Sequence, residues 1–303
     1  FLRKSLLKFV SPFIAFAVVF SVFFGTNLFH YTTKEMSISH VFSFFLISLL
    51  LHSLPGYLKK PGKGNSFLIG ALLGWIVLIR PTNSIAVLLV LLYDVYSINE
   101  FKERIRFLIQ HTRSLLWMIP GAFLFFIPQL LYWKEMTGHW LYYSYTNEGF
   151  DYWNKPKILE VLFDVQNGLL LYSPLVLLMI IGIIPGLLKK NFQAPVVLLS
   201  FALATYIFSS WGAWWFGGAF GHRCYVEYYA LHAFPLAGLY QHVSTRWNVF
   251  FRVVFYLLVI VLMVFSVRLS FLYTSIGGPW DGPDWRWNWE KYEWVLSNFF
   301  PAT

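Results

Sequence analysis

Residues 67–96 read FLIGALLGWIVLIRPTNSIAVLLVLLYDVY, a long apolar stretch broken at its centre by Arg80-Pro81-Thr82-Asn83. About 20 predominantly apolar residues cover the ~30 Å hydrocarbon core of a bilayer, so a run of this kind reads as membrane-embedded. Backbone polar groups in lipid must be paired within their own segment, which makes the stretch helical. Proline removes a donor and crowds the preceding turn, so the helix stops or kinks at Arg80. Phe67–Ile79 alone makes about 20 Å of helix at ~1.5 Å per residue, short of a full crossing. Two short helices meeting at residues 80–83 are favoured. A single tilted span kinked at Pro81 is the alternative.

Working outward, apolar runs of crossing length lie at Phe9–Phe29, His40–Leu58, Leu115–Trp133, Gly168–Leu188, Pro195–Trp215, Tyr225–His242 and Val249–Tyr273. The expected fold class is all-α, a polytopic transmembrane helical bundle of about 8–9 membrane segments, hairpin included, with extracytoplasmic loops. The bundle takes up residues 1–273, with outer loop 134–167 as a lid. Residues 274–303, rich in tryptophan, form an extracytoplasmic interfacial tail. Composition agrees: 58% hydrophobic and 12% charged residues, against about 25% charged in soluble domains, with a mean hydropathy of +0.59. An aromatic share of 21% fits belts at the water–lipid boundaries.

The net charge of +9 is distributed as membrane orientation requires, and nucleic acid is not an expected partner. Residues 1–8, 55–66, 97–114, 189–194 and 242–252 together hold 14 of the 23 Lys and Arg and, counting Asp94 at the edge of 97–114 with Glu100 and Glu103, three of the 14 acids. Basic loops stay cytoplasmic, so these segments share the inner side. Both loops flanking 67–96 are in this group, so that stretch crosses an even number of times, as a hairpin does. The chain opens with Phe1, and its first apolar run is too long for a signal-peptide core. It reads as a span, and the chain is expected to be the later part of a longer protein.

Arg80 is the sharpest single residue. A cation within a membrane segment costs about 2.5–3.5 kcal/mol on insertion scales and usually faces a cavity or partner. Its guanidinium forks onto phosphate oxygens, and the ends of a broken helix offer backbone N–H groups to the same anion. The plainer reading is an ion pair to a loop carboxylate that staples the hairpin. In the loop after the first span, Glu35 and His40 are candidates for one pocket mouth, and Ser39 suits a helix N-cap; an ordinary polar turn is the alternative. Residues 210–229 read SWGAWWFGGAFGHRCYVEYY. Their glycines permit tight turns, Trp211, Trp214 and Trp215 offer flat apolar faces, and His222, Arg223 and Glu227 add convergent polarity. Loop 134–167 mixes tyrosines with Glu148 and Asp151, which suits carbohydrate contact. One cysteine, Cys224, excludes an internal disulfide, and no zinc-type spacing is present. Walker loops, dinucleotide fingerprints and 20–50-residue repeats are absent from the sequence.

GTNLFHYTTKEMSISHVFSFF (25–45), GALLGWIVLIRPTN (70–83) and SSWGAWWFGGAFGHRCYVEYYALHAFPLAG (209–238) together resemble the lipid-phosphosugar-dependent glycosyltransferases of the GT-C superfamily. The resemblance is to the bacterial protein-mannosyltransferase-like and aminoarabinose-transferase-like branch, and it covers most of residues 9–241. It implies transfer of a sugar from a polyprenyl-phosphate-sugar donor to a hydroxyl acceptor at the outer face of the bacterial cytoplasmic membrane. By that resemblance Arg80 and Arg223 hold the donor phosphate. Asn83, Trp211, Trp214, Trp215, His222 and Glu227 form the groove, Glu35 and His40 border the acceptor side, and Glu148 and Asp151 belong to the acceptor-side lid. The family's catalytic acid follows its first span; the loop after residue 29 lacks that acidic pattern, so the acid is expected upstream of Phe1. No metal is assigned. Two other functions fit the same residues: transport or flipping of lipid-linked sugars, since broken spans with buried charge also mark transport sites, and non-catalytic glycolipid binding.

Overall fold

A computed structural model describes residues 1–143, 145, 148–273 and 288–299, and every regular element among them is helical. In chain order these are α1 (Leu2–Leu6), α2 (Pro12–Phe24), α3 (Leu28–Thr33), α4 (His40–Lys59), α5 (Lys63–Ile79), a 3-10 helix (Pro81–Ala86), α6 (Val87–Leu92), α7 (Ile98–Gln110), α8 (Thr112–Leu115), α9 (Met118–Thr137), α10 (Ile158–Phe163), α11 (Leu169–Tyr172), α12 (Leu175–Leu188), α13 (Ala194–Ser210), a second 3-10 helix (Arg223–Tyr228), α14 (Tyr229–Arg246), α15 (Val249–Tyr273) and α16 (Trp289–Ser297). Three helical stretches, His40–Lys59, Thr112–Thr137 and Val249–Tyr273, are long and apolar enough to cross a membrane. They mark a membrane protein. The apolar stretches Pro12–Phe24, Lys63–Ile79, Pro81–Leu92, Leu175–Leu188 and Ala194–Ser210 are shorter.

Several expected spans are shorter than the sequence suggests, because a local break interrupts each. The 9–29 run stops at Gly25, where a Cβ would sit 2.7 Å from the Leu175 side chain. The 168–188 run is interrupted at Ser173-Pro174, where α11 ends and α12 begins. Helix α13 ends at Ser210 because Trp211 turns extended, with ψ 142°. The 225–242 run begins as a 3-10 helix and becomes α-helical only at Tyr229. Ser39 precedes α4 but does not cap it: its backbone is already helical and its side chain makes no cap hydrogen bond.

Helix α14 is the axis of the bundle. Tyr229–Tyr240 is buried residue after residue, with α2, α4, α12, α13 and α15 packed around it. A helix buried all round can dispense with an amphipathic face, and the outward faces of α2, α9 and α15 are correspondingly apolar, with Phe13, Phe123 and Val261 all more than half exposed. The 67–96 stretch folds back on itself. Arg80 sits beside His40 at the start of α4, whereas Asp94 and Leu58, near the end of α4, line one small cavity. A straight kinked helix would have carried Asp94 away from that end. The two ends of the bundle are thus distinct: a cavity end near Arg80, and a basic end where α1, α4, α12 and α14 present Lys8, Lys59, Lys189 and Arg246.

Of the tail, residues 274–287 and 300–303, including Trp280, Trp285 and Trp287, lie outside the described residues. Helix α16 docks on the bundle. Its Tyr292 and Val295 are buried against Tyr172, Phe220, Leu269 and Leu272, and Arg268 Nε donates to the Phe299 carbonyl at 2.7 Å.

Helix α9 leans on α5 through backbone contact. A Cβ on Gly70 would sit 2.2 Å from the Met118 carbonyl oxygen, one on Gly74 2.3 Å from that of Ala122, and one on Gly121 2.3 Å from that of Phe67. Small residues allow such close approach where lipid gives no hydrophobic drive to pairing. Gly74→Ala is expected to cost about 1–3 kcal/mol through overpacking and to lower the thermal midpoint of the detergent-solubilised protein. Gly56→Ala, inside α4 where nothing lies within 4 Å of the new Cβ, is the control and does not lower the midpoint, since alanine is the better helix former.

Candidate functional site

Pro81 disfavours the α conformation at the residue before it. Arg80 accordingly leaves α5 in an extended conformation, φ −151° and ψ 119°. The break is bridged to the second 3-10 helix and, through the Asn83 side chain, to α4. Tyr228 Oη donates to the Thr82 carbonyl at 3.3 Å and to Asn83 Oδ1 at 3.1 Å, and Asn83 Nδ2 donates to Ser43 Oγ at 3.2 Å. Asn83 is fully buried here and closes the break; it is not part of a groove.

Residues three apart in a 3-10 helix eclipse one another, so Cys224 and Glu227 present their side chains on one edge, and both meet Arg80. Arg80 Nε lies 3.2 Å from Glu227 Oε1. One terminal guanidinium nitrogen, Nη1, donates to His40 Nε2 at 3.0 Å, and the other, Nη2, to Cys224 Sγ at 3.3 Å. Arginine has no acceptor, so His40 Nε2 accepts; its Nδ1 therefore carries the hydrogen and donates to Glu227 Oε1 at 2.6 Å. Glu227 is 0% exposed and His40 1%, but the Arg80 side chain keeps 15%. The guanidinium thus forms the boundary between a sealed carboxylate and open space. Each terminal nitrogen has a second hydrogen beyond these contacts.

That open space is a cavity of about 330 Å³ whose walls include Arg80, Tyr143, Tyr145, Glu148, Phe150, Trp211, Phe216 and Arg223. The Arg80 guanidinium also stands 5.9 Å above the Phe216 ring, within cation–π range. Among the described residues no carboxylate is within ion-pair distance of Arg223, and its buried Nε has no hydrogen-bond partner. The 134–167 loop supplies one wall and is held in place. Gly212 N donates to the Gly149 carbonyl at 2.8 Å and Tyr152 N to that of Ser210 at 3.0 Å, while Phe150 and Tyr145 meet Trp211 edge-on.

The sequence-predicted residues therefore divide. Arg80, Arg223, Trp211 and Glu148 line the cavity; Trp214, Trp215, Asn83, His222, Glu227 and His40 do not. Asp151 packs against the Gly212 backbone. Glu35 and His40 do not share a pocket mouth: Glu35 pairs with His30 at 3.2 Å, and His40 belongs to the Arg80 cluster. Trp214 and Trp215 contribute carbonyls, which accept from His222 Nε2 at 3.2 Å and Asn167 Nδ2 at 2.8 Å. These bonds replace the secondary structure that residues 211–222 lack, and Gly217 and Gly221 take left-handed backbone angles there. Phe216 and Phe150 were not singled out by sequence; Tyr143 and Tyr145 were read only as part of the loop's polar–aromatic mixture, and Cys224 only as the lone cysteine. The three-residue spacing of Cys224 and Glu227 was the available signal, but it carries meaning only once a 3-10 helix is known. Among the described residues no group of three or more His, Cys, Asp or Glu side chains is placed to hold a metal ion.

No protein-family model, no curated protein and no solved structure matches this chain.

His222 is stacked against Phe208, and burial pushes its imidazole down to about 3. Its Nδ1 has no partner among the described residues, so protonation has nothing to stabilise it. A folded value below the unfolded ~6.5 means the stabilisation is present above about pH 6.5 and is lost as the pH falls. His222 is expected to contribute a loss of about 1.4 kcal/mol for each unit below that point, read as part of a falling thermal midpoint between about pH 6.5 and pH 5. His222→Gln is expected to flatten that slope.

Proposed function

We propose that the cavity receives the phosphate of a polyprenyl-phosphate-sugar at the extracytoplasmic face of the bacterial cytoplasmic membrane, and that the protein transfers the sugar to a hydroxyl acceptor. The observation that carries this reading is the convergence of two guanidiniums, Arg80 and Arg223, on one aromatic-walled cavity. Guanidinium–phosphate contacts are charge-assisted and bidentate in form. Aromatic faces such as those of Trp211 and Tyr145 suit sugar rings. The flanking helices present apolar outer faces along which a prenyl chain can lie. The positive-inside bias of the loops supports the choice of face.

In the reaction the acceptor oxygen attacks the anomeric carbon, and the bond from that carbon to the phosphate oxygen breaks. Polyprenyl phosphate leaves with the bonding pair, and the two arginines meet the charge that develops on it. The acceptor's proton passes to a carboxylate. Glu148 is the carboxylate lining the cavity and takes this role as general base. Glu227, sealed behind Arg80, is a positioning residue that holds the guanidinium in place.

Transport of a lipid-linked sugar is the second reading, and the helix broken at Arg80 favours it, since interrupted segments with internal charge recur at transport sites. Against it, the core residues Tyr229–Leu236 of α14 are buried between the cavity and the basic end.

Reconstituted full-length protein supplied with a radiolabelled polyprenyl-phosphate-sugar tests the proposal. Arg223→Gln removes a cation without stranding a buried carboxylate. It is expected to raise KM for the donor about tenfold or more, the worth of one charged hydrogen bond. Glu148→Gln is expected to lower kcat by about 10²–10⁴ at unchanged donor KM. Full turnover in both variants overturns the assignment. Translocation of the donor across proteoliposomes with no acceptor-dependent transfer selects the second reading.

A further inference from the structure

Helix α7 plays no part in the proposed reaction, yet its side chains are sorted. Ile98 and Ile109 are 66% and 68% exposed, and Lys102 and Arg106 are exposed beside them. At 3.6 residues per turn these four fall within an arc of about 80°. The acids lie elsewhere on the helix: Glu100 and Glu103 line a cavity with Asp94 and Leu58 under the bundle's basic end. The rotation of α7 about its axis is fixed. Arg104 donates to the carbonyls of Val90 at 3.1 Å and Tyr93 at 2.8 Å, Leu108 packs on the core, and Phe107 meets Tyr57 edge-on.

The helix is also fixed in depth. It ends at Gln110, next to the apolar stretch Thr112–Thr137 that is long enough to cross a membrane. The first turn of a crossing segment stands at a bilayer boundary, so α7 lies at that boundary too. Arg113, in the same turn, is exposed. A water-facing helix has no use for two isoleucines flanked by cations. A helix lying in the headgroup layer uses both, burying the apolar side chains and directing basic ends to lipid phosphates.

We propose that α7 lies along the bilayer surface at the basic end, with Ile98 and Ile109 at the acyl boundary and Lys102, Arg106 and Arg113 engaging anionic phospholipid headgroups. This site is separate from the Arg80 cavity and stands or falls independently of the proposed reaction.

The test uses full-length protein in nanodiscs of phosphatidylcholine with or without phosphatidylglycerol. Environment-sensitive reporters are placed at Ile109→Cys and Glu103→Cys, the native Cys224 being 0% exposed and out of reach of the label. The Ile109 reporter is expected to be quenched by lipid-borne quenchers and the Glu103 reporter by water-soluble ones. Phosphatidylglycerol retained through delipidation, read by native mass spectrometry, is expected to fall about fivefold for each charge removed, the equivalent of about 1 kcal/mol, across Lys102→Gln, Arg106→Gln and Arg113→Gln. An Ile109 reporter open to water overturns the proposal, as does one shielded from lipid and water alike, which means that a protein covers the face. Unchanged phosphatidylglycerol retention in the three variants also overturns it. The reporter measurement needs none of the charge variants, so a folding defect in them leaves the proposal exposed to refutation.

Discussion

The contact between Arg80 and Glu227 joins two breaks in helical structure. One lies at Pro81 and the other at the 3-10 turn before α14. Each break on its own leaves backbone groups and a charge where neither is cheap. Brought together, each satisfies the other: Arg80 meets the buried carboxylate at 3.2 Å, and Tyr228 reaches the Thr82 carbonyl. Removing either charge strands the other in a low-dielectric site, which typically costs several kcal/mol. The pair therefore holds the broken end of α5 against the 3-10 turn that precedes α14.

His40 extends the same constraint to a third element. Its ring links the pair to the first residue of α4, so three helix ends meet at one guanidinium. The contacts diverge in direction, one from Nε and one from each terminal nitrogen. A planar fork can serve all three at once, whereas a single ammonium on a flexible stem cannot hold that geometry. The arginine is in this sense a joint, and its position at the cavity boundary follows from being one.

The all-helical class and three membrane-length helices were legible because membrane solvent imposes simple rules. The hairpin at residues 67–96 followed from length, proline chemistry and the basic loops on either side. The joining of Arg80 to the Trp–Gly segment was legible in part, since an isolated membrane cation needs a partner and Glu227 was at hand. The plain reading, an ion pair, is realised in the contact with Glu227, and the same side chain lines the cavity. What could not be read was which tryptophans face the cavity. Trp211, Trp214 and Trp215 are equivalent by composition, and only the left-handed turn at Phe216-Gly217 decides that Phe216 and Trp211 line it. Glu35 and His40 lie close in sequence, but Glu35 pairs back onto His30 of α3 while His40 opens α4. Asn27 donates to the Phe220 carbonyl at 3.1 Å and Tyr31 meets the same residue, so the first half of the loop read as a pocket mouth or a polar turn is buried structure. Apolar runs overstated span lengths for a related reason: Gly25 and Pro174 break helices inside apolar context, where hydropathy alone is blind.

Charge balance separates the two arginines of the cavity. Glu227 compensates Arg80, which therefore enters any encounter with an anion as a rigid donor whose desolvation is already offset. Arg223 has no such carboxylate among the described residues, so the unbalanced positive charge of the inner wall resides there. On the proposed function, an incoming phosphate would gain most of its Coulombic attraction from Arg223 and its orientation from Arg80. The two contributions differ in their response to salt, because a partly exposed, uncompensated charge is screened and a buried hydrogen-bonded one much less so. In the proposed site one cation would attract and the other align, and the buried carboxylate is what permits that division, because Glu227 offsets the charge of Arg80 while His40 and Cys224 help to fix its direction.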